Sequence, residues 1–162
     1  MNHVGPGVRG RLTTVRAATA ADADLLAAWH GDPDVARFWG GRTYTRDELL
    51  ERLSRADVDA FLVEEDGRAI GYLQAWRDTP ASGGLDMFLV PDARGRGLGP
   101  DAARALASHL VNEHGWERLT VDPEFGNQRA VRAWRRAGFR EVRECPPDEE
   151  HPHPWVLMEF AG

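Results

Sequence analysis

Six residues, Arg94-Gly95-Arg96-Gly97-Leu98-Gly99, follow an apolar run from Met87 to Val90 and open an alanine- and leucine-rich helical pattern. A glycine-rich turn between a strand and a helix is suited to holding phosphate. The glycines let the backbone come close, and the first helical N–H groups face the anion. The two arginines add charge where a polyphosphate needs it. The spacing narrows the choice. A dinucleotide loop needs G-x-G-x-x-G, and here Pro100 stands where the third glycine should be. The chain has no lysine, so its 20 cationic side chains are all arginine. That removes the Walker lysine of P-loop proteins and any Schiff-base lysine.

The elements around this run must position it. Residues 11–16 alternate as a first strand, and Asp22 to His30 has helical spacing through Leu25, Leu26 and Trp29. Thr45 can cap a second helix, with Glu48 completing a capping box. Ala60 to Glu64 and Ala69 to Trp76 read as a hairpin through Asp66-Gly67, and Leu85 to Val90 as the next strand. Gly97 to His114 is a helix stopped by Gly115, with Pro100 tolerated in its first turn. Arg118 to Val121 is a strand, and Asn127 to Ala137 a helix stopped by Gly138. Phe139 to Arg143 and Trp155 to Phe160 close the chain as strands. The order βααβββαβαββ describes an α+β sheet with helices, not a regular βαβ alternation.

Composition sets the frame. The 162 residues fit one domain, taken as 10–162 after a loose tail at 1–9. Hydrophobic content is 42% and charged content 28%, as in soluble globular proteins, with no stretch of membrane-span length and no signal peptide. The single cysteine, Cys145, excludes an internal disulfide and fits a reducing cytoplasm. A net charge of −6 argues against nucleic acid and suits a cationic partner.

The pattern that fits the glycine run is R-x-x-G-x-G, spelled Arg94, Gly97 and Gly99. With Asn127 and the block Arg132-Ala133-Trp134-Arg135-Arg136-Ala137-Gly138-Phe139, it resembles the Gcn5-related N-acetyltransferases (GNAT) over nearly the whole chain. The resemblance implies a mixed, mostly antiparallel sheet of six to seven strands flanked by about four helices. It also implies a splay between the fourth and fifth strands. It places acetyl-CoA, with no metal, against Leu89, Val90, Arg94, Gly95, Arg96, Gly97, Leu98, Gly99, Asn127 and Trp134. The pantetheine arm would pair with backbone groups freed by the splay. A backbone N–H there would polarise the thioester carbonyl. Asn127 has a second role open to it, as a helix cap.

Shorter segments are similar to the Ib-like aminoglycoside 6'-N-acetyltransferases. They are Phe38-Trp39-Gly40-Gly41, Gly71-Tyr72-Leu73-Gln74-Ala75-Trp76, Gly84-Leu85-Asp86, Thr120-Val121-Asp122-Pro123 and Pro147-Asp148. By that resemblance Asp86 is the base, directly or through a water, and Asp122 orients the amino sugar. Trp39, Gln74, Trp76 and Asp148 would complete the acceptor site, with Glu149 and Glu150 beside it attracting a polycation. Plainer roles stand next to these. Asp86 can be a strand carboxylate paired with an arginine, Asp122 a turn residue before proline, and Trp39 and Trp76 core. His151-Pro152-His153 fits no common metal spacing, and Cys145 has no evident base partner.

Two features depart from the family. A tyrosine that commonly protonates the departing thiolate is Trp134 here, so the general acid is missing or moved. The segment Thr79-Pro80-Ala81-Ser82-Gly83-Gly84 is short and uncharged where the Ib-like enzymes carry a longer acidic one. The expected protein is a cytoplasmic monomer or homodimer that acetylates a small cationic amino sugar, without nucleic acid or membrane partners. Two other activities remain compatible with these residues: acetylation of a protein N-terminus or a siderophore-type hydroxylamine, and acyl-CoA binding without turnover.

Overall fold

The computed structural model describes residues 7–37, 39 and 41–162. Eight strands form one sheet in the order β1-β2-β3-β4-β5-β6-β8-β7. They are β1 (Val8–Arg9), β2 (Thr14–Ala17), β3 (Val58–Glu65), β4 (Arg68–Thr79), β5 (Ser82–Leu89), β6 (Arg118–Val121), β7 (Phe139–Cys145) and β8 (Trp155–Phe160). All pairs are antiparallel except β5 with β6. Five α-helices flank the sheet: α1 (Ala23–His30), α2 (Pro33–Ala36), α3 (Arg46–Leu53), α4 (Leu98–His114) and α5 (Gln128–Arg136). None is long and apolar enough to cross a membrane.

The strand expected at 11–16 is two strands, and it begins inside the expected tail. Val8 pairs with Val15 and Arg9 with Thr14, which raises the strand count to eight. The turn between them is held from far along the chain. The Asp101 carboxylate, in the first turn of α4, accepts the N–H groups of Arg11, Leu12 and Thr13 at 2.9–3.0 Å and the Thr13 hydroxyl at 2.8 Å. Asp101→Ala removes the acceptor for four donors. It should cost about 2 kcal/mol in urea unfolding while leaving the fold intact, since part of that turn is exposed to water.

Local rules explain most of the rest. Thr45 and Glu48 form the expected capping box on α3. Asp66 and Gly67 both adopt the left-handed conformation that a two-residue hairpin turn needs. Asp32 caps α2, a short helix absent from the expected order, by accepting the Asp34 N–H at 2.9 Å, with Pro33 at its first position. The segment before Asp86 is a tight hairpin, with Thr79 opposite Ser82, so β5 starts earlier than Leu85.

The sheet divides the core in two. On one face, α4 lays Leu98, Ala102, Leu106 and Leu110 against Val15, Phe61, Leu73 and Leu85. On the other, α1 to α3 bring Leu26, Val35 and Leu49 onto Leu62, Tyr72 and Phe88. Burial of these faces is the main drive to this fold.

The parallel seam is short. Ser82, Gly83 and Gly84 pair with Arg118, Leu119 and Thr120, and beyond Gly84 the two strands part. This is the expected splay, between the fourth and fifth strands counted from Thr14. Gly84 makes the seam compatible with its neighbour. A Cβ there would lie 2.3 Å from the Trp76 ring and 2.9 Å from the Thr120 carbonyl oxygen.

Candidate functional site

The splay opens a cleft of about 420 Å³ between β5 and the N-terminal ends of α4 and α5. Leu89, Arg94, Gly97, Gly99, Asn127 and Trp134 all line it, together with Gly95 and Leu98. The β4–β5 register fixes which backbone groups face it. Val90 donates its N–H to Ile70 at 2.9 Å, and Gly71 stands opposite Leu89. Antiparallel pairing alternates, so the Leu89 N–H points away from β4 into the splay. Around Leu89 and Val90, where the resemblance looks for a free backbone N–H, it is the Leu89 group that faces the splay, while the Val90 N–H is taken by Ile70.

The glycine run makes a turn with an anion-facing end. Gly97 is left-handed (φ 78°) and precedes the first residue of α4. A Cβ on it would come within 3.3 Å of the Arg136 guanidinium. Arg94 fastens the loop: its Nε donates to the Leu89 carbonyl at 3.1 Å and its Nη2 to the Asp34 carbonyl at 3.0 Å. Arg96 turns outward to Glu65, with contacts of 2.9 and 3.1 Å. The cations at the cleft that sequence reading did not single out as binding residues, Arg129, Arg132 and Arg136, come from α5. Their signal was the arginine density of a helix whose start meets the start of α4. A second basic hollow of about 390 Å³ adjoins, lined by Arg11, Arg96, Arg104 and Arg136.

Asn127 lines the cleft and also caps α5, its Oδ1 accepting the Ala130 N–H at 3.1 Å. Trp134 is 8% exposed and meets Phe139 edge-on at 5.3 Å. The cleft thus combines a glycine cradle, two helix N-termini, arginines and an unpaired strand N–H. Those groups fit a pyrophosphate continued by an amide-bearing arm, as in acetyl-CoA.

On the opposite face of the sheet, register brings Gln74 beside Asp86, Tyr72 beside Phe88 and Trp76 beside Gly84. The Tyr72 hydroxyl donates to Gln74 Oε1 at 2.8 Å, and Gln74 Nε2 donates to Asp86 Oδ2 at 2.9 Å. Burial raises the Tyr72 phenol pKa, which keeps it a donor. Burial and the nearby Asp122 carboxylate push the Asp86 pKa up to about 6, against the Gln74 hydrogen bond, which favours the ionised form. The hydrogen-bond partner of Asp86 among the described residues is an amide, not an arginine.

Asp122 follows β6 across the splay. Its Oδ2 lies 2.7 Å from His151 Nε2, and His151 Nδ1 lies 2.8 Å from Asp148 Oδ1. Sequence reading discarded His151 because its spacing fits no metal site. The contact that matters spans 29 residues and has no local signature. Trp39 meets Tyr72 and Phe88 edge-on at 5.8 and 5.5 Å, so its contacts belong to the aromatic core below the site. Its neighbours Phe38 and Gly40 lie outside the described residues. Trp76 is half-buried over Gly84.

Known proteins share this fold. The acetyltransferase (GNAT) domain matches residues 11–140. Aminoglycoside N(6')-acetyltransferase type 1 of Klebsiella pneumoniae is 28% identical over 156 residues, covering 83% of this chain and 78% of that protein. AAC(6')-Ib in complex with acetyl-CoA superposes with a TM-score of 0.80 at 26% identity, over 92% of this chain and 93% of that one. Its complex with coenzyme A and kanamycin gives 0.79 at 25%, over 91% and 93%. The glycine cradle, the splay beside it and a domain match over most of the length agree: the chain belongs to the GNAT acetyltransferases, acyltransferases that draw on acetyl-CoA.

Proposed function

We propose that this chain transfers an acetyl group from acetyl-CoA directly to the 6'-amine of aminoglycosides. The observation that carries the reading is Asp86. It is a half-buried carboxylate beside the splay with a pKa of about 6, oriented by Gln74 and facing further carboxylate charge on Asp122. A polyamine arrives as ammonium and must lose a proton before it can attack. A base poised near neutral pH takes that proton and is itself mostly ionised when the substrate arrives. Asp122 and Asp148 bind other ammonium groups of the same sugar, and Trp76 offers a ring face. Sequence and fold likeness to aminoglycoside 6'-acetyltransferases supports the same acceptor.

The donor supplies an acetyl group activated as a thioester. The first N–H groups of α4, with Arg129 and Arg136, hold its pyrophosphate, and the adjoining arginine hollow suits the phosphate on its adenosine. The Leu89 N–H polarises the acetyl carbonyl as negative charge gathers on its oxygen. Asn127 adds a side-chain amide to the arm. At Trp134 the chain offers an indole N–H, which donates a hydrogen bond but no proton. Protonation of the departing sulfur is left to solvent, at little cost for a thiol of pKa ~8.5.

A thiol-release assay against an amine panel tests the reading. Kanamycin should turn over well above spermidine and an N-terminal peptide. A 6'-hydroxy aminoglycoside should be inert. Turnover of the 6'-hydroxy compound equal to its 6'-amino analogue would sink the regiochemistry, and a preference for the peptide would sink the acceptor.

A further inference from the structure

The loop from Pro146 to Pro154 is braced from within. Asp148 and His151 exchange backbone hydrogen bonds at 2.9 and 3.3 Å, and Asp148 Oδ1 also accepts the N–H groups of Glu150 and His151. The Trp155 indole N–H donates to the Pro146 carbonyl at 3.2 Å. Its ring stacks on His151 with centroids 4.1 Å apart and planes 15° apart. One side chain carries this loop to the acceptor site: His151, whose side chain is 15% exposed.

Both ring nitrogens of His151 face carboxylate oxygens, Nε2 toward Asp122 and Nδ1 toward Asp148. A neutral imidazole has one N–H, so one of those contacts would set a lone pair against an anion. Only the imidazolium donates to both. Resting on the function proposed above, we infer that His151 is a positioning residue of the acceptor site. Its doubly protonated ring ties Asp122 to the 146–154 loop and sets the charge against which Asp86 works as a base.

Two consequences follow from where the ring sits. It takes Asp122 Oδ2, and the second oxygen, on a side chain that is 41% exposed, remains for an acceptor ammonium. It also acts on Asp86. Asp122 raises the Asp86 pKa, and the cations of Arg52 on α3 and, to a smaller extent, His151 lower it, so the imidazolium offsets part of a neighbour's repulsion. The charged groups facing the ring are Asp122 just after β6 and Asp148 from the loop, with Asp86 on β5 farther off; β8 contributes the neutral Trp155. Burial opposes protonation of His151, and the hydrogen bonds to Asp122 and Asp148 outweigh it, raising its pKa.

Side-chain NMR of the chain with no donor or acceptor added tests the bridge. His151 should titrate above the ordinary histidine value, and Asp122→Asn should lower it by about 1 unit. Titration at or below the ordinary value, or no response to Asp122→Asn, overturns the bridge whatever amine the enzyme uses. His151→Gln tests the role. The acid limb of kcat/KM should move up by about 0.5 unit, a roughly threefold extra loss below the limb, with the KM for acetyl-CoA unchanged. An unmoved limb, or an equal loss at every pH, overturns it and leaves His151 a loop brace. If another amine proves to be the acceptor, the profile is measured on that amine, so the two readings fail separately.

Discussion

Asp86→Asn should lower kcat about a thousandfold while the KM for acetyl-CoA stays near the wild-type value, because proton removal by a positioned side chain contributes 10²–10⁴-fold. The substitution is conservative in shape. An asparagine oxygen can still accept from Gln74 Nε2, so the Tyr72–Gln74 chain and the β4–β5 pairing are kept. What is lost is the group that takes the proton. In the wild-type enzyme kcat/KM should fall as pH drops through about 6, since only the ionised carboxylate is a base. The variant should have no such limb. A parallel fall in acetyl-CoA affinity would show that Asp86 holds the splay in shape and is not the base.

The second large effect concerns stability. His30 is fully buried, and among the described residues neither ring nitrogen has a hydrogen-bond partner. Tyr44, Phe88 and Trp39 surround it at 5.0, 5.2 and 6.0 Å. Burial, with a smaller repulsion from Arg52, pushes its pKa down to about 4. An unfolded histidine titrates near ~6.5, so the unfolded state binds more protons between those values. Stability is therefore full above ~6.5 and is lost as pH falls toward 4, by about 2 kcal/mol at pH ~5. His30→Leu removes the proton site and two unsatisfied nitrogens at similar volume. Its urea midpoint should change little more with pH than the remaining carboxylates require. An unchanged pH dependence would mean that acid unfolding begins elsewhere.

The donor half was legible because its chemistry is local. Glycines at 97 and 99 and an asparagine at a helix start are written within a few residues of the turn and the helix end that they shape. The acceptor half was legible only in part. Asp86 and Gln74 could be named, but their pairing depends on strand register, which one sequence does not print. What escaped was held by contacts across long separations. The β1–β2 turn depends on a carboxylate 88–90 residues away, and Asp122 depends on His151. Which N–H at the end of β5 is free was not legible, because alternation along a strand decides it: the Val90 N–H is taken by Ile70, and a one-residue shift would reverse the answer. Arg94, read as a phosphate ligand, lines the cleft and also donates to the carbonyls of Leu89 and Asp34. A guanidinium serves a loop as readily as an anion.

Three residue pairs alone join β5 to β6. Every other strand boundary in the sheet is antiparallel. The sheet is thus two panels stitched at one corner, and the open side of the stitch is where the donor is proposed to lie. A ligand there acts as a splint, touching the strand of one panel and a helix that leads into the other. Donor saturation and resistance to opening become one quantity, since whatever binds only the closed form stabilises it by mass action. The supply of acetyl-CoA in the cell would then govern how long the enzyme lasts as well as how fast it works.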